Sequence, residues 1–330
     1  MFGLTYFVLG MVIKLNILIF GATGFIGSKL ANTLRSRGDC VYVLSRCTTD
    51  SVWVINEFDS ARGNICQLSL GDNFRFECSN NLKMLNLDYF LHGACGLVPS
   101  SNQQDFFKEY VSLLDPTFTL IDSCNDLGIP IIYLSSAGAI YSDSEFPLAE
   151  TSDLNPSTFY GFSKYIIEQH IKKKHYEGLN YMILRPTNVY GRDLDNVNRA
   201  QGLIENSILS IMRSMPIKQF GSDSKIRDYL FVDDFVEVTT YLLDEPALNQ
   251  TLNIGSGHLV EVNKVIETIY EILKKEPNIL ITEERSFDKS IVDVDVSKIR
   301  KLIPFKPMGI HEGLKKYLSQ LGLIHLEVEE

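Results

Sequence analysis

The sequence predicts an α/β fold: a doubly wound parallel sheet with a smaller α/β lobe toward the C-terminus. Three observations carry this. Short apolar runs alternate with helix-length amphipathic segments through the first half of the chain. The run "IPIIYLSS" is apolar up to its two serines, as a strand covered on both faces should be. After Pro186 the alternation gives way to mixed helices, short strands and loops.

In chain order, "KLNILIF" reads as the first strand and "FIGSKLANTLRSRG" as a helix closed by Gly38. "CVYVL" is the second strand. Residues 48–87 are polar and weakly periodic, with "ICQLSL" the best strand among them. "LDYFLHGA" gives a further strand, followed by a helix over roughly 105–127 with a bend at Pro116. After "IPIIYLSS" a long helix spans about Ser157 to His175, and "NYMILRP" is the next strand. "RDYLFVDDFVEVTTYLL" and "TLNIGSG" look like returns to the first domain's packing. The expected organisation is a dinucleotide-binding domain over 11–185 with returns near 227–256, interleaved with a substrate lobe over 186–330.

The 330 residues are ample for a large core, and 45% hydrophobic with 22% charged is ordinary for a soluble globular chain. A formal net charge of −10 argues against a nucleic-acid surface. Cys40, Cys47, Cys66, Cys78, Cys95 and Cys124 form no CxxC pair and read as reduced thiols of a cytoplasmic protein. The histidines show no paired ligand spacing, so no metal is expected. The apolar start "MFGLTYFVLGMVIKLNILIF" is broken by Lys14 and Asn16, lacks a basic n-region, and is not expected to span or anchor in a membrane. Met11 offers an alternative start, which would make residues 1–10 an extension.

"FGATGFIG" places Gly21, Gly24 and Gly27 between a strand and a helix, with Phe25 and Ile26 opening that helix. Glycines there permit a tight turn and close approach of backbone to a pyrophosphate, which sits on the positive end of the helix. "FYGFSKYIIEQH" places Tyr160 and Lys164 four residues apart, on one helix face. A phenol with an ordinary pKa near 10 becomes a useful acid or base only beside positive charge, which an ammonium one turn away supplies. Ser135 and Ser136 end the preceding strand, where a hydroxyl could hydrogen-bond a reacting oxygen.

The glycine turn, the serine-ended strand, "YGFSK", "RPTNVYG", "RDYLFVDD", "LNIGSG" and "DVDVSKIRKLIPFKP" occur in this order from about residue 14 to about 321. Together they resemble the extended short-chain dehydrogenase/reductases, and within them the nucleotide-sugar epimerases, dehydratases and reductases. The resemblance implies a Rossmann-like fold and a homodimer through two long helices per subunit. It implies that Tyr160 is the acid/base, that Lys164 binds the nicotinamide ribose and lowers the tyrosine's pKa, and that Ser136 polarises the sugar oxygen. It further implies that Asp72 contacts the adenine, that Gly93 and Ala94 line the cofactor, and that Asn188 and Arg227 hold the diphosphate of a nucleotide sugar.

Four departures from the family's pattern stand out. Dehydratases of the family carry an Asp-Glu pair where this chain has Ala137, Gly138 and Ala139, so water elimination is not expected. Counted back from Tyr141, the serine segment is one residue longer than in some epimerases, which leaves Ser135 and Ser136 competing for one role. Leu113 stands where many members have an asparagine. Ser45 occupies the place of the aspartate that holds the adenosine ribose, with Arg46 beside it. Loss of the carboxylate and gain of a guanidinium favour NADP(H), with NAD(H) held by other contacts as the second possibility. An exchangeable NADPH would in turn favour a 4-keto-sugar reductase acting at C4 of a nucleotide hexose. The alternatives are a 4-epimerase and a non-catalytic scaffold on the same fold.

Overall fold

The computed structural model describes residues 14–46, 53–57, 65–69, 74–142, 146–194, 202–221, 225–285 and 289–325. Alternation within single strands decides the layering. In β1 (Asn16–Phe20), Ile17 and Ile19 enter one hydrophobic cluster while Leu18 and Phe20 enter another, and all four are buried. A strand of that kind needs cover on both faces. It is followed by α1 (Phe25–Arg37), β2 (Cys40–Arg46), β3 (Trp53–Glu57), β4 (Ile65–Ser69), α2 (Phe74–Met84) and β5 (Tyr89–His92). One long helical segment then comprises α3 (Gln103–Glu109), a π-helical stretch (Tyr110–Leu114) and α4 (Asp115–Leu127). β6 (Ile131–Leu134), a short α5 (Ala137–Ile140), α6 (Phe159–His175) and β7 (Tyr181–Pro186) complete the first half.

The remainder runs β8 (Asn188–Tyr190), α7 (Leu203–Met212), β9 (Ile217–Phe220), β10 (Ile226–Phe231) and α8 (Val232–Asp244). Then come β11 (Gln250–Ile254), β12 (Leu259–Glu261), α9 (Val262–Leu273) and β13 (Ile279–Thr282). β14 (Ile291–Val292), α10 (Ser297–Leu302) and α11 (Ile310–Gln320) follow.

The large sheet has the order β11-β7-β6-β5-β1-β2-β3-β4. From β11 to β2 every pairing is parallel, and α1 and α8 cover one face while α2, α4 and α6 cover the other. This is the expected Rossmann-like parallel sheet with its smaller lobe. β3 and β4 differ in running antiparallel to their neighbours. Only residues 47–52 separate β2 from β3, too few for a crossover, so the chain can only turn back. Just before Pro116 the helix widens into its π stretch, which accommodates a residue with no N–H to give. The lobe holds a four-stranded sheet of β12, β10, β14 and β8, and a two-stranded sheet of β13 and β9. β11 leaves the lobe and pairs with β7 across its whole length.

One buried ion pair joins these parts. Arg185, in β7, donates from Nε to Glu168 Oε1 at 3.0 Å and from a terminal nitrogen to Oε2 at 2.6 Å. Both side chains are fully buried, and Glu168 lies on α6. The other terminal nitrogen donates to the Tyr141 hydroxyl at 2.8 Å, and that hydroxyl donates to Asn253 Oδ1 in β11 at 2.7 Å. Asn253 Nδ2 in turn donates to the Leu148 carbonyl at 3.0 Å.

The cysteines whose side chains are described, Cys40, Cys78, Cys95 and Cys124, are free thiols. Among the described residues no helix is long and apolar enough to cross a membrane; the apolar start of the chain lies outside them.

Removing one charge of a buried pair strands the other, at a cost of about 3–5 kcal/mol. Glu168→Gln is therefore expected to lower the unfolding free energy by about that amount, read from the denaturant midpoint at neutral pH. A change below about 1 kcal/mol would show that the pair is dispensable.

Candidate functional site

The sheet changes winding direction beside β1, with β2 on one side and β5 on the other. In a doubly wound sheet the crevice beyond the carboxyl ends of those strands is where ligands sit. Gly21 follows β1 with φ +104°, and a Cβ there would lie 2.6 Å from the Ala94 nitrogen. The Gly93 N–H donates to the Phe20 carbonyl at 2.8 Å, which fixes the Gly93–Ala94 segment against the glycine turn. Gly24 is the N-cap of α1, in extended backbone, with no side-chain cap and no acidic residue in the first turn. The N–H groups of Phe25, Ile26 and Gly27 thus open toward the crevice end of the helix without a side-chain acceptor. That cradle fits the pyrophosphate of a dinucleotide.

The second half of the site comes from β6 and α6. Thr158 caps α6 by accepting the Gly161 N–H at 3.0 Å. Gly161 is required because a Cβ there would lie 2.2 Å from the Ala139 carbonyl oxygen, so α6 packs directly on α5. This approach brings Tyr160 to the Ser136 hydroxyl, which hydrogen-bonds the phenol. Lys164, one turn on, is 4% exposed and donates from Nζ to the Leu134 carbonyl at 2.9 Å. Its Nζ lies 5.9 Å from the Tyr160 ring centre. Burial pushes the Tyr160 phenol above its ordinary value; the Lys164 charge opposes this, the nearby Cys95 thiol adds to it, and the bond from Ser136 opposes it.

The two serines separate. Ser136 is half-buried and reaches Tyr160, whereas the Ser135 hydroxyl is buried and has no hydrogen-bond partner among the described residues. Ala137, the next residue, is 1% exposed within the core. Ser136 is the N-cap of α5, in extended backbone and without a side-chain cap hydrogen bond.

Asn188 and Arg227 lie on adjacent strands, β8 and β10, with Asn188 paired to Tyr229. Asn188 Nδ2 donates to the Asp228 carbonyl at 2.8 Å. Arg227 donates to the carbonyls of Ile226 at 2.9 Å, Ser290 at 3.1 Å, and Lys289. Asp228 does not pair with it: that carboxylate is buried and accepts from the N–H groups of Ser256 at 2.9 Å and Gly257 at 2.8 Å. Ser45 and Arg46 end β2, where they pair with Val54 and Trp53 of β3. The Phe20–Leu44 pairing puts Ser45 level with Gly21, at the crevice edge. The side chain of Arg46 and the whole of Asp72 lie outside the described residues.

Two side chains in this neighbourhood were not singled out in the sequence. Cys95 is close enough to Tyr160 to influence its titration, and it follows Gly93 and Ala94 directly, so continuing the count by one residue finds it. Arg192 stacks on Phe25 at 5.1 Å from the ring centre, a contact between the lobe and α1 that no local pattern announces.

Residues 17–255 match the NAD dependent epimerase/dehydratase family. The chain is 26% identical over 309 residues to a putative UDP-glucose 4-epimerase of Methanocaldococcus jannaschii, covering 92% of this chain and 97% of that protein. It is 25% identical over 319 residues to a dTDP-4-dehydro-6-deoxyglucose reductase of Escherichia coli, covering 93% and 98%. The solved UDP-glucose 4-epimerase of Thermotoga maritima, which holds UDP-glucose, superposes with a TM-score of 0.80 at 25% identity over 92% of this chain and 99% of that one. Several other structures of this fold hold NAD.

These findings overturn the expectation of NADP(H) drawn from Ser45 and Arg46: the family matched is described as NAD dependent, and the similar structures hold NAD. The physical reason is that a serine hydroxyl can itself accept a hydrogen bond from a ribose hydroxyl. Absence of the aspartate therefore does not require a phosphate in its place.

Gly21→Ala places a methyl against backbone at a φ that costs roughly 1–2 kcal/mol for a residue with a Cβ. It is expected to weaken NAD binding by about tenfold or more, measured by titration calorimetry. Unchanged affinity would place the cofactor away from this turn.

Proposed function

The chain is an enzyme of the NAD dependent epimerase/dehydratase family, within the extended short-chain dehydrogenase/reductases, and from that premise we propose that it is a nucleotide-sugar 4-epimerase. The observation that carries this is the Ser136–Tyr160–Lys164 arrangement at the mouth of a cofactor crevice, with Ala137, Gly138 and Ala139 in place of carboxyl groups. Dehydration would need those carboxyls to remove and deliver protons. Reduction was favoured only through NADP(H), and that support is gone. The names of the relatives lean the same way, with 4-epimerases among them at 25–26% identity.

NAD, when bound, supplies hydride acceptance and return at the sugar carbon. Tyr160 takes the proton of the C4 hydroxyl and later gives it back. Ser136 hydrogen-bonds the same oxygen and holds it in line with the phenol. Lys164 supplies the positive charge that draws the phenol down toward the working pH, against its burial. Gly21, Gly24, Phe25, Ile26 and Gly27 would hold the pyrophosphate by backbone, with Gly93 and Ala94 lining the cofactor and Ser45 beside the ribose. Asn188 and Arg227 position the diphosphate of the nucleotide sugar, a planar guanidinium being suited to paired phosphate oxygens.

Phe107, Tyr110, Val111 and Phe162 are exposed apolar side chains on the α3–π segment and α6. They support a homodimer through those helices. The free thiols support a cytoplasmic setting.

Given UDP-glucose and a panel of other nucleotide hexoses, without added cofactor, the enzyme is expected to interconvert one C4-epimeric pair, followed by NMR. Tyr160→Phe should lower kcat by about 10²-fold or more while keeping its bound NAD. Conversion of a 4-keto sugar only with stoichiometric oxidation of added NADH or NADPH would identify a reductase instead.

A further inference from the structure

Lys164 poses a problem of charge. It is 4% exposed, and a buried ammonium needs compensation. Among the described residues it forms no ion pair, and the hydrogen bond it donates goes to the Leu134 carbonyl at 2.9 Å. Glu168, one turn along α6, is engaged by Arg185 at 2.6 Å and by Lys172 at 3.5 Å. What surrounds the ammonium is aromatic: its Nζ lies 5.4 Å from the centre of the Tyr133 ring and 5.9 Å from that of Tyr160. Both distances fall within cation–π range.

We propose that Tyr133 is a positioning residue of this site: the face of its buried ring holds the Lys164 ammonium and so sets how strongly that charge acts on Tyr160. The proposal rests on Tyr160 being the acid/base.

The neighbours of Tyr133 are arranged to keep that face in place. The ring is fully buried in β6, and His92 of β5 packs edge-on to it at 5.4 Å. His92 is itself held by Thr117 at 2.8 Å and packed edge-on against Phe20 at 5.0 Å and Phe90 at 6.0 Å. Burial and the nearby Lys164 charge push the His92 imidazole down to about 3, so it stays neutral and does not repel the ammonium. The titratable groups facing Lys164 are thus Tyr160 from its own helix, Tyr133 from β6 and His92 from β5, with Cys95 beside the two tyrosines. The Tyr133 hydroxyl has no hydrogen-bond partner among the described residues. The ring face, not the hydroxyl, is therefore the working part.

The test is the pH profile of kcat/KM for the holoenzyme and for Tyr133→Phe, Tyr133→Leu and Tyr160→Phe. Tyr133→Phe should match the parent within about twofold, because its ring face is retained. Tyr133→Leu should move the acidic limb upward by about half a pH unit or more, with activity recovering at higher pH and bound NAD unchanged. If the leucine variant does not fold, pentafluorophenylalanine at position 133 keeps the shape and removes the negative face, and the same upward shift is expected. An unmoved limb in a folded, NAD-loaded leucine or fluorinated variant would overturn the proposal, as would an equal shift in Tyr133→Phe. Full turnover by Tyr160→Phe would instead remove the acid/base assignment on which the proposal stands.

Discussion

Everything at the site depends on where α6 sits, and the buried Arg185–Glu168 pair fixes that. Glu168 is one turn beyond Lys164 and two beyond Tyr160 on the same helix. Tying it with two hydrogen bonds to β7 sets the axial position and rotation of α6 against the sheet. The remaining guanidinium contact passes through Tyr141 to Asn253 on β11, so the same network anchors the strand that returns from the lobe. A pair of this kind contributes little net stability against an apolar alternative, but it fixes one arrangement, because every other arrangement leaves a buried charge without its partner. Burial alone would push the Arg185 guanidinium down, yet the bonds and charge of Glu168 more than offset it.

The electrostatics of the site follow from that placement. Tyr160 is poised between a desolvation that raises its pKa and a lysine and a serine that lower it, with the first in the lead in the protein by itself. The oxidised nicotinamide of NAD would add a second positive charge on the side of Lys164. On the proposed function, the acid/base group and the redox cofactor would be coupled through charge, which suits a reaction that moves a proton and a hydride at one carbon.

The parts of this arrangement that were legible in the sequence are those encoded by local spacing. The strand–glycine–helix order around Gly21, Gly24 and Gly27 and the four-residue interval from Tyr160 to Lys164 each lie within one element. The antiparallel β3 and β4 were not legible from periodicity, which is weak there, although the short link from β2 already forbids a crossover. The choice between Ser135 and Ser136 could not be read from counting, because it turns on how closely Gly161 lets α6 approach α5. Arg185 and Glu168 lie on different elements, so nothing local marks them as partners, and Tyr133 reads simply as one more apolar strand residue. The cofactor was not legible for a different reason: a missing carboxylate and a neighbouring arginine are not by themselves a positive sign of phosphate, because a serine hydroxyl can also hydrogen-bond a ribose.

A 4-epimerase of the kind proposed keeps NAD in this crevice and uses it without net consumption. Denaturing the freshly purified protein and identifying the released nucleotide tests it most directly. NAD is expected to be released in near-stoichiometric amount. Release of NADP, or an empty protein that then binds NADP in preference to NAD, would contradict it.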